Sequence, residues 1–311
     1  MIRYFKYAIV TLLLSGWMHS ARGQYDPLYT QYMFNPLALN PAYAGTSGVL
    51  HAMVLSRHQW VGFEDAPSTQ TFTIHTPVTS RNIGTGLSIV HDRIGPVTNT
   101  NAFFDYSFQM KMNDRVKLSM GLKGGFSYFQ RDLTKYLGEV GTEDPAYNEP
   151  VDSKFLPNFG FGIYCYGSRF YAGASIPRLL ENKIGEQGVS SVAVPKENRL
   201  YLLMAGYVYP IHPDFILKPS FILRATNSAP LSVDLNLIVL VKEKLWAGGM
   251  FRPGSGFGAI LQYQVSPQMR AGYAYEMSTN EMMSYQSGTH EIMISFEFNF
   301  RKDKIQNPRY F

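Results

Sequence analysis

The chain has 311 residues, of which 16% are charged and 14% aromatic, and its formal net charge is +5 at neutral pH. Soluble globular proteins carry roughly 25% charged residues, so something other than water solvates part of this surface. The single cysteine, Cys165, excludes an intramolecular disulfide and a cysteine-built metal site.

Residues 1–23 have the layout of a secretory signal peptide. Arg3 and Lys6 lead an apolar core from Tyr7 to Leu14, and Ala21-Arg22-Gly23 is a small-x-small cleavage site that leaves Gln24 as the first mature residue. The core is too short for a spanning helix, which takes about 20 apolar residues. Processing removes Arg3, Lys6 and Arg22 and no acid, so Lys+Arg falls from 28 to 25 against 23 Asp+Glu, a net charge of 25 − 23 = +2. That near-balance argues against a nucleic-acid partner. After the signal the longest aliphatic run is Leu237 to Val241. An exported chain of membrane-like composition with no membrane helix satisfies its backbone in lipid as a closed β-barrel.

Residues 24–48, QYDPLYTQYMFNPLALNPAYAGTSG, show no strand pattern. Asn35-Pro36 and Asn40-Pro41 initiate turns and stop helices, which limits Thr30 to Phe34 to about one short helical turn. Tyr25, Tyr29, Tyr32, Phe34 and Tyr43 need something to pack on, so the segment is no free linker. Two roles stay open for Tyr29, Tyr32, Phe34, Asn35, Asn40, Pro41 and Tyr43: a plug or brace for the barrel, or a docking surface for a partner.

Residues 49–300 read as an antiparallel barrel of about fourteen strands: Val49–Arg57, Thr69–Thr76, Ile83–His91, Asn99–Lys111, Arg115–Phe129, Asn158–Tyr166, Phe170–Ile176, Arg199–Tyr209, Phe215–Ala225, Leu231–Leu240, Leu245–Phe251, Phe257–Val265, Met269–Met277 and Gly288–Phe300. The alternation is plainest from Thr100 to Tyr128. There Ala102, Phe104, Tyr106 and Phe108 share one face and Asn101, Phe103, Asp105 and Ser107 the other. Past the Asn113-Asp114 turn, Leu118, Met120 and Leu122 alternate with Lys117, Ser119 and Lys123. Aromatics on one face and charges on the other fit lipid outside and a polar lumen inside. An arginine at lumenal Ser119 is accordingly expected to be better tolerated than one on the lipid face.

An even strand count suits a single-chain bacterial barrel. With the N-terminus left in the periplasm, the even-numbered connections are expected to be short periplasmic turns. The odd-numbered ones are expected to be longer and to face outward, led by Gln130–Pro157, Pro177–Asn198 and Ser278–Ser287. The first of these carries Glu139, Glu143, Asp144, Glu149 and Asp152, a solvated acidic loop without calcium-ligand spacing. The last strand runs aromatic-polar through Phe296, Phe298 and Phe300, and residues 301–311 form a tail expected on the periplasmic side.

Asp105, Lys111, Arg115, Lys117 and Lys123 are candidate lumen-lining residues. They fit either cross-strand ion pairs that fill the lumen or a basic lining that selects anions in an open pore. The histidines His51, His58, His75, His91, His212 and His290 lie on separate strands or turns with no metal-ligand spacing, and no nucleophile elbow is present. No catalytic residue, metal or cofactor is expected.

Several blocks, in order, resemble the PorP/SprF family of outer-membrane proteins of the type IX secretion system of Bacteroidota. They are Gln31-Tyr32-Met33-Phe34-Asn35, Asn40-Pro41-Ala42-Tyr43-Ala44-Gly45, Arg57-His58-Gln59-Trp60, Ala205-Gly206-Tyr207-Val208, Leu217-Lys218-Pro219-Ser220, Ala229-Pro230-Leu231-Ser232-Val233-Asp234, Gly272-Tyr273-Ala274-Tyr275 and Ser287-Gly288-Thr289-His290-Glu291-Ile292-Met293. The even strand count is what places both termini in the periplasm; the resemblance implies a non-enzymatic protein of the cell outer membrane. It further implies help in secreting or attaching a cargo such as an adhesin with a C-terminal sorting domain, or a link to the core secretion and gliding machinery. Outer-membrane lipid and type IX components are the implied partners. The alternative is a passive porin or small-solute channel.

Overall fold

The computed structural model describes residues 28–78, 82–132, 151–183, 197–227 and 229–298, without the side chains of residues 151, 152 and 282. The expected signal peptide 1–23, the expected tail 301–311 and the acidic residues Glu139, Glu143, Asp144 and Glu149 lie outside the described residues, and so do Asn299 and Phe300.

Alternating sequences take the extended backbone that their faces call for. The strands are β1 (Leu50–His58), β2 (Ser68–Val78), β3 (Ile83–Ile94), β4 (Val97–Lys111), β5 (Val116–Asp132), β6 (Val151–Gly167), β7 (Phe170–Ile176), β8 (Leu200–Tyr207), β9 (Tyr209–His212), β10 (Phe215–Thr226), β11 (Ala229–Val241), β12 (Leu245–Arg252), β13 (Gly256–Gln264), β14 (Met269–Ser278) and β15 (Thr289–Phe298). Each pairs antiparallel with its neighbour, and β1 pairs with β15 from Leu50 opposite Phe298 to His58 opposite His290, which closes the sheet. β8 and β9 lie along the same side of β10 as one stave, interrupted at Val208, whose N–H donates to the Arg169 carbonyl at 2.7 Å. The wall therefore has fourteen staves, and the expected strand Arg199–Tyr209 corresponds to two strands. Closure leaves no edge of unpaired backbone to face lipid.

The two faces carry opposite chemistry. On β4, Asn99, Asn101, Phe103, Asp105 and Ser107 are buried inward while Phe104, Tyr106 and Phe108 are exposed outward. Leu122, Phe159, Leu203, Leu237, Leu261 and Ile294 are likewise exposed on other staves. A continuous apolar exterior around a polar interior is a lipid-facing barrel wall. Leu122→Arg, placed near the bilayer midplane, is expected to cost about 2–4 kcal/mol. It should lower the fraction of heat-modifiable, folded barrel in membranes; assembly at the parent level would contradict this lipid face. Ser119, by contrast, is fully buried inside. No room is left there for an arginine, which corrects the expectation of tolerance.

Connections sort by end. One rim carries 59–67, 95–96, 133–150, 177–199, 227–228, 253–255 and 279–288; the other carries only 79–82, 112–115, 168–169, 213–214, 242–244 and 265–268. We call them the loop rim and the turn rim. At the turn rim, Asn113 Oδ1 accepts the N–H groups of Arg115 and Val116, each at 2.9 Å, an Asx turn that fixes the β4–β5 hairpin. The expected loop Gln130–Pro157 is shorter than its sequence suggests, because β5 and β6 stay paired as far as Asp132 opposite Val151. At 17 residues each, both strands exceed the roughly 9–11 that cross a bilayer, so they project beyond it at the loop rim.

The described parts of 177–199 do not stand out into solvent as expected. They fold against the inner wall on Asn158 of β6, whose Oδ1 accepts the N–H groups of Leu179 and Leu180, each at 3.0 Å. Its Nδ2 donates to the Leu180 carbonyl at 3.0 Å and to Glu197 Oε2 at 3.3 Å. Asn158 and Glu197 are both almost wholly buried.

Candidate functional site in the barrel lumen

The segment ahead of β1 is a series of short helical turns, each interrupted by an Asn-Pro step. A 3₁₀ turn covers Tyr32–Phe34, α1 covers Pro36–Leu39 with proline at its first position, and a second 3₁₀ turn covers Pro41–Tyr43. Proline fixes φ for a helical first residue and forbids continuation of the turn before it. Asn40 caps the second 3₁₀ turn, its Oδ1 accepting the Ala42 N–H at 3.0 Å. So few residues in each turn make no stable helix alone, and the wall supplies the missing partners.

Those partners come from around the barrel. Tyr29, Tyr32, Met33, Phe34, Leu37, Ala42 and Tyr43 are buried in one hydrophobic cluster with Met53 and Leu55 of β1, Met204 of β8, Ile238 of β11 and Met293 of β15. Tyr29 Oη and Thr71 Oγ1 are 2.8 Å apart, and Thr73 Oγ1 donates to Asn35 Oδ1 at 2.9 Å. Asn40 Nδ2 donates to the Ile163 carbonyl at 3.0 Å, and Ser175 Oγ to the Leu39 carbonyl at 2.8 Å. Ser107 Oγ donates to the Ala44 carbonyl at 2.6 Å, and the Gly45 N–H to His75 Nδ1 at 3.1 Å. The Tyr43 ring meets His75 and Tyr164 edge-on at 5.2 and 5.5 Å. Phe34 lies between two cations, Lys218 Nζ at 5.4 Å and the Arg270 guanidinium at 5.1 Å.

Strand glycines make the seat. A methyl group on Gly121 would lie 2.2 Å from the Ala42 nitrogen, and one on Gly162 would lie 2.1 Å from Asn40 Oδ1. Only hydrogen at Gly121 lets the segment's backbone lie directly on the wall, and only hydrogen at Gly162 makes room for the Asn40 side chain.

The upstream end of the segment is held by a belt of buried charge near the loop rim. Arg224 pairs with Asp234, Asp234 with Arg252 at 2.7 Å, Arg252 with Glu276 at 2.8 Å, and Arg57 bridges Glu276 at 3.0 Å and Glu291 at 3.2 Å. Three arginines balance three carboxylates on six staves, β10, β11, β12, β14, β15 and β1. The carboxylates' remaining acceptor capacity goes to the segment: Thr30 N–H donates to Glu291 Oε2 at 3.0 Å, Gln31 N–H to Glu291 Oε1 at 2.8 Å, and Thr30 Oγ1 to Glu276 Oε2 at 2.8 Å. Arg57 in turn donates to Thr30 Oγ1 at 2.7 Å, and Gln262 to Gln31 Oε1 at 2.7 Å. A dense, largely paired polar network in a water-poor interior favours one arrangement, because breaking a pair leaves its partner to bear the desolvation cost. Arg57 Nε, Arg224 Nη1 and Gln262 Oε1 are left without a hydrogen-bond partner among the described residues.

The five lumen candidates divide. Lys123 and Asp105 face each other inside at 3.4 Å, and Lys123 Nζ also donates to the Leu37 carbonyl at 3.4 Å. Lys111, Arg115 and Lys117 are exposed at the turn rim, where Lys117 lies 5.9 Å over the Tyr166 ring. Of the two readings, a cross-strand ion pair is seen at Asp105 and Lys123, while Lys111, Arg115 and Lys117 are exposed at the turn rim. Arg57, Asp234, Arg252, Glu276 and Glu291 had no expected role, although Asp234 and Glu276 are each a charge at an inward position between outward apolar or aromatic neighbours.

No curated protein matches the sequence. Solved structures of similar fold include the CymD monoaromatic hydrocarbon channel, at 12% identity and a TM-score of 0.50 over 89% of this chain and 95% of that one. Others are the Acinetobacter baumannii outer membrane protein Omp33, at 9% and 0.48 over 80% and 99%, and the Ralstonia pickettii toluene transporter TbuX, at 8% and 0.48 over 85% and 93%. At such identities the likeness is one of fold alone. Residues 21–296 match the family model described as type IX secretion system membrane protein PorP/SprF.

Proposed function

The chain belongs to the PorP/SprF family of type IX secretion system membrane proteins, and from that premise we propose that this outer-membrane barrel serves secretion as a plugged, non-enzymatic interaction partner. It assists export or surface attachment of a cargo protein, or links the outer membrane to the core secretion and gliding machinery. The observation that carries this reading is the occupied lumen: residues 29–45 are buried inside the barrel on hydrogen bonds from staves around the whole wall. A passive solute channel needs that volume for water and solute.

In this reading the turn rim faces the periplasm and the loop rim the cell surface, as short-turn and long-loop ends do in bacterial barrels. Machinery components then meet the turns and the chain beyond Phe298, and cargo meets the loop rim. Affinity purification of the tagged protein from gently solubilised cells is expected to recover type IX components, a secreted protein with a C-terminal sorting domain, or both. Recovery of neither, with the barrel intact, would overturn the proposal.

A further inference from the structure

We propose that the N-terminal segment is a strap threaded from one rim of the barrel to the other, so that the processed N-terminus is displayed at the loop rim, on the cell surface. The sidedness rests on the reading above; the threading does not.

The contacts order the segment along the barrel axis. Gly45 bonds His75 near the end of β2 at the turn rim, and Ala44 bonds Ser107 in the half of β4 that runs down to that rim. At the other end, Thr30 and Gln31 bond Glu291, third residue of β15, and Arg57, next to last of β1, donates to Thr30; both strand positions are at the loop rim. Tyr29 reaches Thr71, in the half of β2 that starts at the loop rim. Read backwards from β1, the chain enters at the turn rim and climbs to the loop rim. From Leu50 to Arg57 the wall runs about 24 Å along the strand at about 3.4 Å per residue, which is about 17–20 Å along the axis of a barrel whose strands tilt by about 35–45°.

The remaining chain is too short to return. Cleavage before Gln24 leaves residues 24–27 ahead of Leu28, which span at most about 14 Å fully extended. The interior they would re-cross is occupied by the segment itself and by the charge belt. The periplasmic N-terminus expected from strand counting therefore gives way to one on the opposite rim. Strand parity fixes where β1 begins, and says nothing of a segment that doubles back through the lumen.

Threading has two consequences. The staves must close around an N-terminal segment already in place, because a finished barrel offers no path past the belt. Periplasmic machinery then cannot grip the mature N-terminus and is left the turns of the other rim.

Cysteine labelling on whole cells tests this. In a Cys165→Ser background, Asp26→Cys is compared with Met283→Cys, exposed in the loop-rim connection 279–288, and with Asn113→Cys in the turn 112–115, using a membrane-impermeant maleimide before and after permeabilisation. The expected result is that Asp26→Cys reacts on intact cells as Met283→Cys does, with Asn113→Cys reacting only after permeabilisation. If Asp26→Cys follows Asn113→Cys, or reacts only after denaturation, the strap is wrong. If Asn113→Cys is the marker that reacts on intact cells, the sidedness falls, and threading is still decided by which marker Asp26→Cys follows.

Discussion

Arg57→Ala is expected to destabilise the folded barrel by about 3–5 kcal/mol, the cost of removing one partner from a buried ion pair. Arg57 is fully buried and touches both Glu276 and Glu291, so truncation leaves two carboxylates facing each other across β14, β15 and β1. Arg252 still neutralises Glu276, but Glu291 retains only the N–H groups of Thr30 and Gln31. The segment's upstream anchor is thereby strained along with the wall. Urea unfolding in lipid or detergent, followed by heat-modifiable mobility, measures the loss. Arg57→Met with Glu291→Gln, which removes both charges while the amide oxygen still accepts a segment N–H, should recover part of it, since the second carboxylate is no longer left buried and unpaired. A single variant as stable as the parent would show that the belt is solvated and holds nothing.

The second large effect is expected at Gly121. A valine there places Cβ 2.2 Å from the Ala42 nitrogen and 2.4 Å from the Pro41 carbonyl carbon, and both are backbone atoms that have no rotamer in which to yield. The wall is held by ladders on both sides of β5, opposite Ser107 of β4 and Gly162 of β6, so the segment is what moves. Overpacking of this kind costs about 1–3 kcal/mol, and here it also lifts the segment off its seat. Gly121→Val should leave the barrel able to assemble while making the chain near Tyr43 susceptible to protease. Gly124→Val on the outward face of the same strand, where a methyl meets only the Phe159 ring at 3.7 Å, is the control expected to change neither.

Much of the wall was legible because lipid enforces a strict period of two. β4 and β5 show it through Phe104, Tyr106, Leu122 and their polar alternates, and β7 begins and ends where its pattern does, at Phe170 and Ile176. The pattern fails where lipid stops imposing it. Gln130 to Asp132 and Val151 to Pro157 carry charges and a proline without alternation, yet they pair above the membrane, where backbone bonding alone suffices. Val208, just before Tyr209-Pro210, breaks a stave that sequence joins.

The lumen was legible only in part. Asp105 and Lys123 lie on one hairpin and are in register, so a local pattern points to both. Arg57 and Glu291 are as close in space but 234 residues apart in sequence, and each looks like one more polar residue on an inward face. The aromatic content of Tyr29 to Tyr43 announces a packed segment without giving its direction. Direction emerges only from which strand ends Thr30 and Gly45 touch.

In this secretion-family barrel the N-terminal segment fills the lumen, and a lumen so filled conducts nothing. The most direct measurement is the conductance of the purified, full-length processed protein in planar bilayers, with insertion verified by labelling at Met283→Cys. The native chain is expected to show no steady channel, and Gly121→Val an open, steady conductance. A large, constant conductance from the native protein, unchanged in Gly121→Val, would contradict the filled lumen and favour a passive solute channel.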